Sequence, residues 1–265
     1  MTAAYYNEFD PKAAAWLREL IKADLIAPGD VDERSITEVQ PADLVGYTQC
    51  HFFAGIGGWS LALRLAGWPD DRPVWTGSCP CQPFSAAGKG EGAADSRHLW
   101  PEWFRLIREC RPGPVFGEQV ASAVGHGWLD LVSTDLEGEG YAIGATVLGA
   151  HSVGAPHIRQ RLWFVAEANV DELGHATSSR WQRSHGSSQQ EQGSRSGRED
   201  DFPSWNDLVW LPCRDGKARP TQSGLQPLAH GVSARVGRLR GYGNAIVPQV
   251  AAEVIAAYMD IQTGE

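Results

Sequence analysis

The stretch CHFFAGIGGWSLALRLA, residues 50–66, decides how the rest of the chain is read. Cys50 to Ala54 is a short apolar run of strand length. Gly55-Ile56-Gly57-Gly58 follows, and a helical pattern then runs from Trp59 to Ala66. Strand, tight glycine turn and helix make the opening unit of a Rossmann-like α/β domain. Glycines let the backbone turn sharply and approach a ligand, and the following helix offers its positive N-terminus there. A turn without a ligand has the same signature, so this loop does not decide function by itself.

Outward from that unit the α/β pattern continues. Val74 to Gly77 reads as a short strand, Leu99 to Cys110 as a helix, and Val115-Phe116 as another strand. Residues 127–139 look helical, Leu162 to Ala166 reads as a strand, and residues 245–259 as a last helix. Upstream, residues 11–23 carry an amphipathic pattern. Asp10 suits the cap, Pro11 the first turn, and Trp16, Leu17, Leu20 and Ile21 share a face. Residues 24–46 are loop-rich and include the acids Asp30, Asp32 and Glu33. Between 170 and 201, Ser, Gln, Gly, Arg and His dominate, as in a loop or partly disordered insert. The expected organisation is an N-terminal helical extension (1–46), a catalytic α/β domain (47–166), a reduced recognition or insert region (167–235) and a return to the catalytic domain (236–265).

Composition limits the function classes. At 265 residues with 42% hydrophobic content, the chain can bury a substantial core. No run of 18 apolar residues exists, so no membrane partner is expected, and the N-terminus has no signal-peptide pattern. Five cysteines without framework spacing fit free thiols in a reducing compartment. The formal charge of −9 disfavours a nucleic-acid partner, but the charge is uneven. Residues 151–240 hold 12 Lys+Arg against 9 Asp+Glu, so the C-terminal half is the more plausible DNA-facing part.

Four further clusters carry chemistry. Gly77-Ser-Cys-Pro-Cys-Gln-Pro-Phe-Ser85 places Cys81 in a loop of small residues, as an exposed, activatable thiol requires. Cys79 and Cys81 lack the partner pair that a structural zinc needs, and no metal is expected. Cys79 fits a buried, inert role. Gly117-Glu-Gln-Val120 puts a carboxylate directly after a strand, where α/β enzymes place their sites; a solvated glutamate is the plain alternative. Gly154-Ala-Pro-His-Ile-Arg-Gln-Arg161 sets two arginines on one face of an extended segment, suited to a phosphate or a pyrimidine O2. Gly241-Tyr-Gly-Asn-Ala-Ile-Val-Pro248 precedes the last helix.

In this order, the five clusters resemble the DNA cytosine-C5 methyltransferase family. The glycine loop resembles its first motif, Pro80-Cys81-Gln82 its catalytic motif, Glu118 the acid of its Glu-Asn-Val motif, Arg159 and Arg161 its paired arginines, and Gly243-Asn244 its final motif. The resemblance covers residues 50–166 and 205–258 and looks most like short phage and prophage versions. It implies a Rossmann-like methyltransferase domain with a mostly parallel sheet and a small, reduced target-recognition lobe. It also implies a bacterial or phage-infected cytoplasm, DNA as partner, and S-adenosylmethionine as methyl donor. The residues implied are Cys81 as nucleophile, with Glu118, Gln119, Arg159 and Arg161 in catalysis. Phe53, Ala54, Gly55, Ile56, Gly57, Gly58 and Asn244 are implied at the cofactor, and Pro80, Gln82 and Ser85 at the base.

Three departures stand out. Gln119 replaces an Asn, and His157 stands where a Gln is expected. Only 22 residues separate Gly58 from Cys81. The family usually places there a second strand ending in an acid that holds the ribose, and a third whose Asp contacts adenine. That region reads as missing, with Asp70 and Asp71 its only acids. The N-terminal acids Asp30, Asp32 and Glu33 are read as an acidic surface loop; replacement of the lost half-site is the alternative. The gap opens a second reading, in which Cys81 activates cytosine for a one-carbon unit from methylene-tetrahydrofolate. A third is a non-catalytic DNA-binding relative.

Overall fold

The computed structural model describes residues 3–80, 99–168, 208–212, 218–222 and 245–263. In chain order the described elements are β1 (Ala3–Asn7), α1 (Pro11–Lys22), β2 (Gly29–Asp32), β3 (Tyr47–Phe52), α2 (Gly58–Leu65), β4 (Val74–Gly77), α3 (Trp100–Cys110), β5 (Val115–Val120), α4 (Trp128–Gly138), β6 (Tyr141–Gly149), β7 (Gln160–Ala168), β8 (Leu208–Pro212), β9 (Ala218–Gln222) and α5 (Pro248–Thr263). Seven strands form one sheet in the order β2-β1-β3-β4-β5-β7-β6. Within it β7 runs antiparallel to both neighbours and the other contiguous pairs are parallel. This is a Rossmann-like, mostly parallel α/β fold.

Alternation along the strands builds two faces. Tyr5, Phe52, Trp75, Val115 and Phe164 pack with α3 and α4 on one side. Phe116, Trp163 and Val165 pack with α2 and α5 on the other, and Ala4 and Tyr6 meet α1 there. Tryptophans fill much of the first face: Trp100, Trp103 and Trp128 are all essentially buried. Edge-to-face packing brings Trp100 within 5.6 Å of Trp103 and 6.0 Å of Trp128, the arrangement aromatic quadrupoles prefer.

The N-terminal reading needs correction. Residues 1–46 are not a helical extension outside the catalytic domain. α1 forms where expected, capped by Asp10, whose side chain accepts from Lys12 N and Ala13 N. It connects two strands, however, and β1 pairs in parallel with β3, the strand of the glycine loop. Gly29 to Asp32, read as part of an acidic surface loop, is β2, paired in parallel with β1. The strand pair that seemed missing after Gly58 is therefore supplied from before it. Between α2 and β4 the chain takes a short turn, clamped by Arg64 on Asp70 at 2.7 Å and by Trp68 Nε1 donating to the Arg72 carbonyl.

Other differences are local. Trp16 is half exposed, and Ala14 and Leu17 are the buried face of α1. β5 continues past Phe116 to Val120, so Glu118 and Gln119 are strand residues. β6 was not anticipated: it is an edge strand of small residues whose middle is mostly exposed, so alternation is faint. In the region expected to be a reduced recognition lobe, β8 and β9 form an antiparallel pair; the Ser/Gln-rich stretch lies outside the described residues.

Candidate active site

Three strands, β1, β3 and β4, end along one line beside β5, which runs on to Val120. The register pairs Asn7 with Phe52, Phe52 with Gly77, and Gly77 with Gly117. The residues one step further, Glu8, Phe53, Ser78 and Glu118, therefore form a row across the C-terminal ends of β1, β3 and β4 and onto β5. Ligands of open α/β sheets bind at that edge. The two glycines in the row below are required by packing. A Cβ at Gly77 would lie 2.6 Å from the Trp103 ring, and one at Gly117 would lie 2.0 Å from the Phe164 ring.

After Phe52 the chain turns through three left-handed residues, Phe53 (φ 52°), Gly55 (57°) and Gly57 (81°). Glycine adopts this region freely, whereas Phe53 is strained there. The turn is tied to the end of β1: Ala54 N–H donates to the Asn7 carbonyl at 3.0 Å, and Gly55 N–H donates to Glu8 Oε2 at 2.6 Å. Ala54, Gly57 and Gly58 are buried, while Phe53, Gly55 and Ile56 are partly accessible. A Cβ on Gly58 would lie 2.7 Å from Ile246, so the C-terminal segment closes against the start of α2.

On the next strand, Cys79 is buried, and burial pushes its thiol well up, which keeps it protonated and inert. Pro80 is exposed. Cys81, Gln82, Ser85 and Asn244 lie outside the described residues.

Glu118 is 7% exposed, and Arg161 Nε sits 2.8 Å from its Oε1. The antiparallel register explains the pair. Val120 faces Arg161 and Glu118 faces Trp163, so the two charges are diagonal neighbours on one face of β5 and β7. Burial pushes the Glu118 carboxyl up from its ordinary value; the charge of Arg161, a hydrogen bond from Ser78 and the charge of Arg159 oppose this. Trp59 Nε1 donates to Ser78 Oγ at 3.0 Å. An indole N–H can only donate, so the single hydroxyl hydrogen of Ser78 is directed to Glu118.

Gln119 reaches the cysteine loop despite its length. Its Oε1 accepts from Val120 N–H at 3.0 Å, and its Nε2 points at the Cys79 carbonyl at 3.5 Å. Arg159 is placed differently from Arg161. It holds a left-handed φ of 28°, and its Nη2 donates to the Ala245 carbonyl, tying the paired-arginine segment to the stretch before α5. His157, Arg159, Ala245, Ile246 and Val247 line a cavity of about 390 Å³ at this junction.

Three residues of the edge were not singled out by the sequence. Ser78 lay inside a quoted motif but looked like a filler between Gly77 and Cys79. Trp59 looked like ordinary helix core. Glu8 had no motif around it, because its partner Gly55 comes 47 residues later.

The profile of the C-5 cytosine-specific DNA methylase family matches residues 68–198, a span that contains Cys81, Glu118, Arg159 and Arg161. Over that span the chain is similar to this family. Among its relatives is the Type II methyltransferase M.HhaI of Haemophilus parahaemolyticus, 28% identical over 171 residues, or 50% of this chain and 52% of that protein. Another is the Type II methyltransferase M.NaeI of Lentzea aerocolonigenes, 28% identical over 165 residues, covering 61% of this chain and 33% of that one. The chain thus spans about half or less of the length of these methylases. The solved structure of S. pombe Dnmt2 methyltransferase superposes with a TM-score of 0.39 at 14% identity, over 64% of this chain and 52% of that one. The methylase span begins at residue 68, so β1, α1, β2, β3 and α2 all precede it. Among the described residues no three His, Cys, Asp or Glu side chains gather as a metal site, and no helix is long and apolar enough to cross a membrane.

Proposed function

We propose that the chain methylates C5 of cytosine in DNA, with S-adenosylmethionine as donor. The observation that carries this reading is the buried Glu118–Arg161 pair beside the cysteine loop, on the same sheet edge as the glycine loop.

Cytosine C5 is a weak nucleophile, and a thiolate adding to C6 turns the ring into an enamine that is nucleophilic at C5. Cys81 supplies that thiolate. Attack builds electron density toward N3, and Glu118 meets it there by donating a proton while its second oxygen accepts from the 4-amino group. That role requires a carboxyl protonated near neutral pH, and burial moves Glu118 in that direction. Arg161 turns toward O2 of the base, and Arg159 holds the C-terminal stretch against the site. Gln119 supports the backbone of the cysteine loop from below. Loss of the C5 proton and β-elimination then free Cys81.

The glycine loop fits the cofactor: left-handed turns at Gly55 and Gly57 keep side chains off its backbone, and α2 starts directly behind it. When bound, S-adenosylmethionine supplies an electrophilic methyl on a sulfonium. The target base must leave the duplex to reach the buried carboxyl, at a cost of a few kcal/mol offset by contacts in the cleft. We assign DNA contact to the arginine-bearing segment after β7, which includes β8 and β9.

The folate alternative rested on a missing strand pair; that β1 and β2 lie beside β3 in the sheet supports the S-adenosylmethionine reading. The test is to incubate purified chain with cytosine-containing DNA and either donor, then digest to nucleosides for mass spectrometry. The expected result is 5-methyldeoxycytidine that requires S-adenosylmethionine and disappears in Cys81→Ala. A C5 adduct that forms only with methylene-tetrahydrofolate would overturn the donor. No product with either donor would favour a non-catalytic DNA-binding role.

A further inference from the structure

We propose that β6 is the docking edge for a second copy of this chain, which pairs with it antiparallel about a twofold axis at Ala145. This holds whichever one-carbon donor the site uses.

The two edges of the sheet are built differently. β2 ends it on one side and β6 on the other. β2 is four residues long and carries Asp30 and Asp32. Arg34 clamps Asp32 at 2.7 Å, and Arg18 Nη2 donates to the Val31 carbonyl at 3.3 Å. Short length and charge are devices that keep an edge from pairing further. β6 has neither. It runs for nine residues, Tyr-Ala-Ile-Gly-Ala-Thr-Val-Leu-Gly, without a charge or a proline. Among the described residues β7 is its one strand neighbour. Ala145, Thr146 and Val147 are exposed, Val147 to 44%. Such a strand leaves a row of backbone N–H and C=O groups along its outer side for another strand to meet.

The strand is complementary to itself. Antiparallel pairing centred on Ala145 sets Ile143 opposite Val147 of the second copy, and Val147 opposite its Ile143. Both residues are β-branched, which favours a cross-strand pair. Ile143, Ala145 and Val147 stand opposite Ala166, Phe164 and Leu162 of β7, so all three lie on one face and the two apolar pairs flank the axis there. At the axis Ala145 meets itself and Gly144 meets Thr146, so no bulky side chains collide. Leu148 falls opposite Ala142, and Tyr141 opposite Gly149.

Charge agrees with this register. Carried two residues past each end of the strand, it sets the partly exposed Glu139 opposite the exposed His151 of the second copy. An acid thus faces an imidazole at both ends. The chain has a formal charge of −9, and an uncharged strand lets two copies approach without opposing like charges. A different protein would need only to match the backbone; the symmetry of these pairs is particular to a second copy, and one isologous contact closes the edge of both.

β6 and β5 are both antiparallel to β7, so the C-terminal end of β6 lies on the same edge as Glu118. Antiparallel pairing of two β6 strands then points the two candidate sites in opposite directions. Neither copy completes or covers the other's site, and per-site activity is expected to be the same in monomer and dimer.

Sedimentation velocity of the full chain over a dilution series tests this. Wild type is expected to pass from monomer to dimer as concentration rises. Ala145→Lys sets two like charges against each other at the axis and is expected to weaken the dimer roughly hundredfold or more. Its circular dichroism and melting profile should match wild type, because position 145 is exposed in the monomer. Cysteine pairing reads the register separately. An oxidised mixture of Ile143→Cys and Val147→Cys chains is expected to give a disulfide between positions 143 and 147 of different copies, located by mass spectrometry of the digest. Wild type that stays monomeric at every concentration overturns the proposal, as does a dimer that survives Ala145→Lys. If Ala145→Lys does not fold, the cross-link decides: its formation supports the pairing, and its absence, or a link from position 147 to a cysteine of the same chain, overturns it.

Discussion

Glu8, directly after β1, and Glu118, in β5, occupy the same row with two strands between them, yet their surroundings differ. Glu118 is almost fully buried with an arginine at 2.8 Å and a hydroxyl donor. Glu8 is half-buried and held by two backbone N–H groups. Burial pushes both carboxyls up, but what opposes it differs: a full charge and a side-chain donor for Glu118, and peptide dipoles for Glu8. A carboxyl enclosed with a cation can be tuned to carry a proton, whereas one tied to backbone at an open edge is suited to accept hydroxyls. The same residue type at the same height thus sits in a closed, charged setting at one end of the edge and in an open, backbone-bound one at the other.

The largest expected effect breaks that contrast at Glu118. Glu118→Gln cannot transfer a proton to N3, and single-turnover methylation should slow on the order of 10²- to 10³-fold. Affinity for S-adenosylhomocysteine should be unchanged, because the proposed cofactor contact is the glycine loop after β3, two strands away from β5. Equal losses in rate and cofactor affinity would mean the two ends are not separate.

Next in size, Arg161→Met leaves the Glu118 carboxylate buried without its cation. Urea unfolding should show a loss of about 3 kcal/mol, the scale for half of a buried pair. In a Glu118→Gln background the same change should cost much less, since no buried charge remains.

His51 lies in β3 beneath the glycine loop, stacked on Tyr6 and 2.8 Å from Thr76 Oγ1. Burial pushes its pKa down to about 3 from 6.5. The unfolded chain therefore binds the proton first as pH falls. Stability is full above pH 6.5 and is lost toward pH 3, about 2 kcal/mol by pH 5 at 1.36 kcal/mol per unit. Unfolding at pH 7 and pH 5 measures this slope, and His51→Gln should flatten it.

The smallest effect sharpens the Glu118 end. Ser78→Ala removes a hydroxyl that favours the ionised carboxylate, worth about 1 kcal/mol. Glu118 should then stay protonated to higher pH, and the alkaline limb of kcat/KM should move up. An unchanged limb would separate Ser78 from Glu118.

The difference between the two ends also governs what could be read from the sequence. Gly55 to Gly58, Glu118 and the paired arginines sit in compact clusters whose spacing is local, so the α/β class and these candidate residues were legible. Glu8 depends on a strand pairing between residues some 45 apart, which no local pattern announces. The order of strands was likewise hidden. A period-2 run reports that a strand exists but not which neighbour it meets, and the chain here meets its glycine-loop strand from the N-terminal side. β6 was missed because an exposed edge strand has little burial to pattern.

The covalent step is tested most directly with duplex DNA carrying 5-fluorocytosine at the target position, incubated with the chain and S-adenosylmethionine and analysed by denaturing mass spectrometry. Fluorine at C5 cannot leave as a proton does, so elimination is blocked and the thiol stays on C6. The account predicts a protein–DNA adduct that maps to Cys81 and is absent in Cys81→Ala. Methylated cytosine without any trapped adduct, or an adduct that persists in Cys81→Ala, would contradict it.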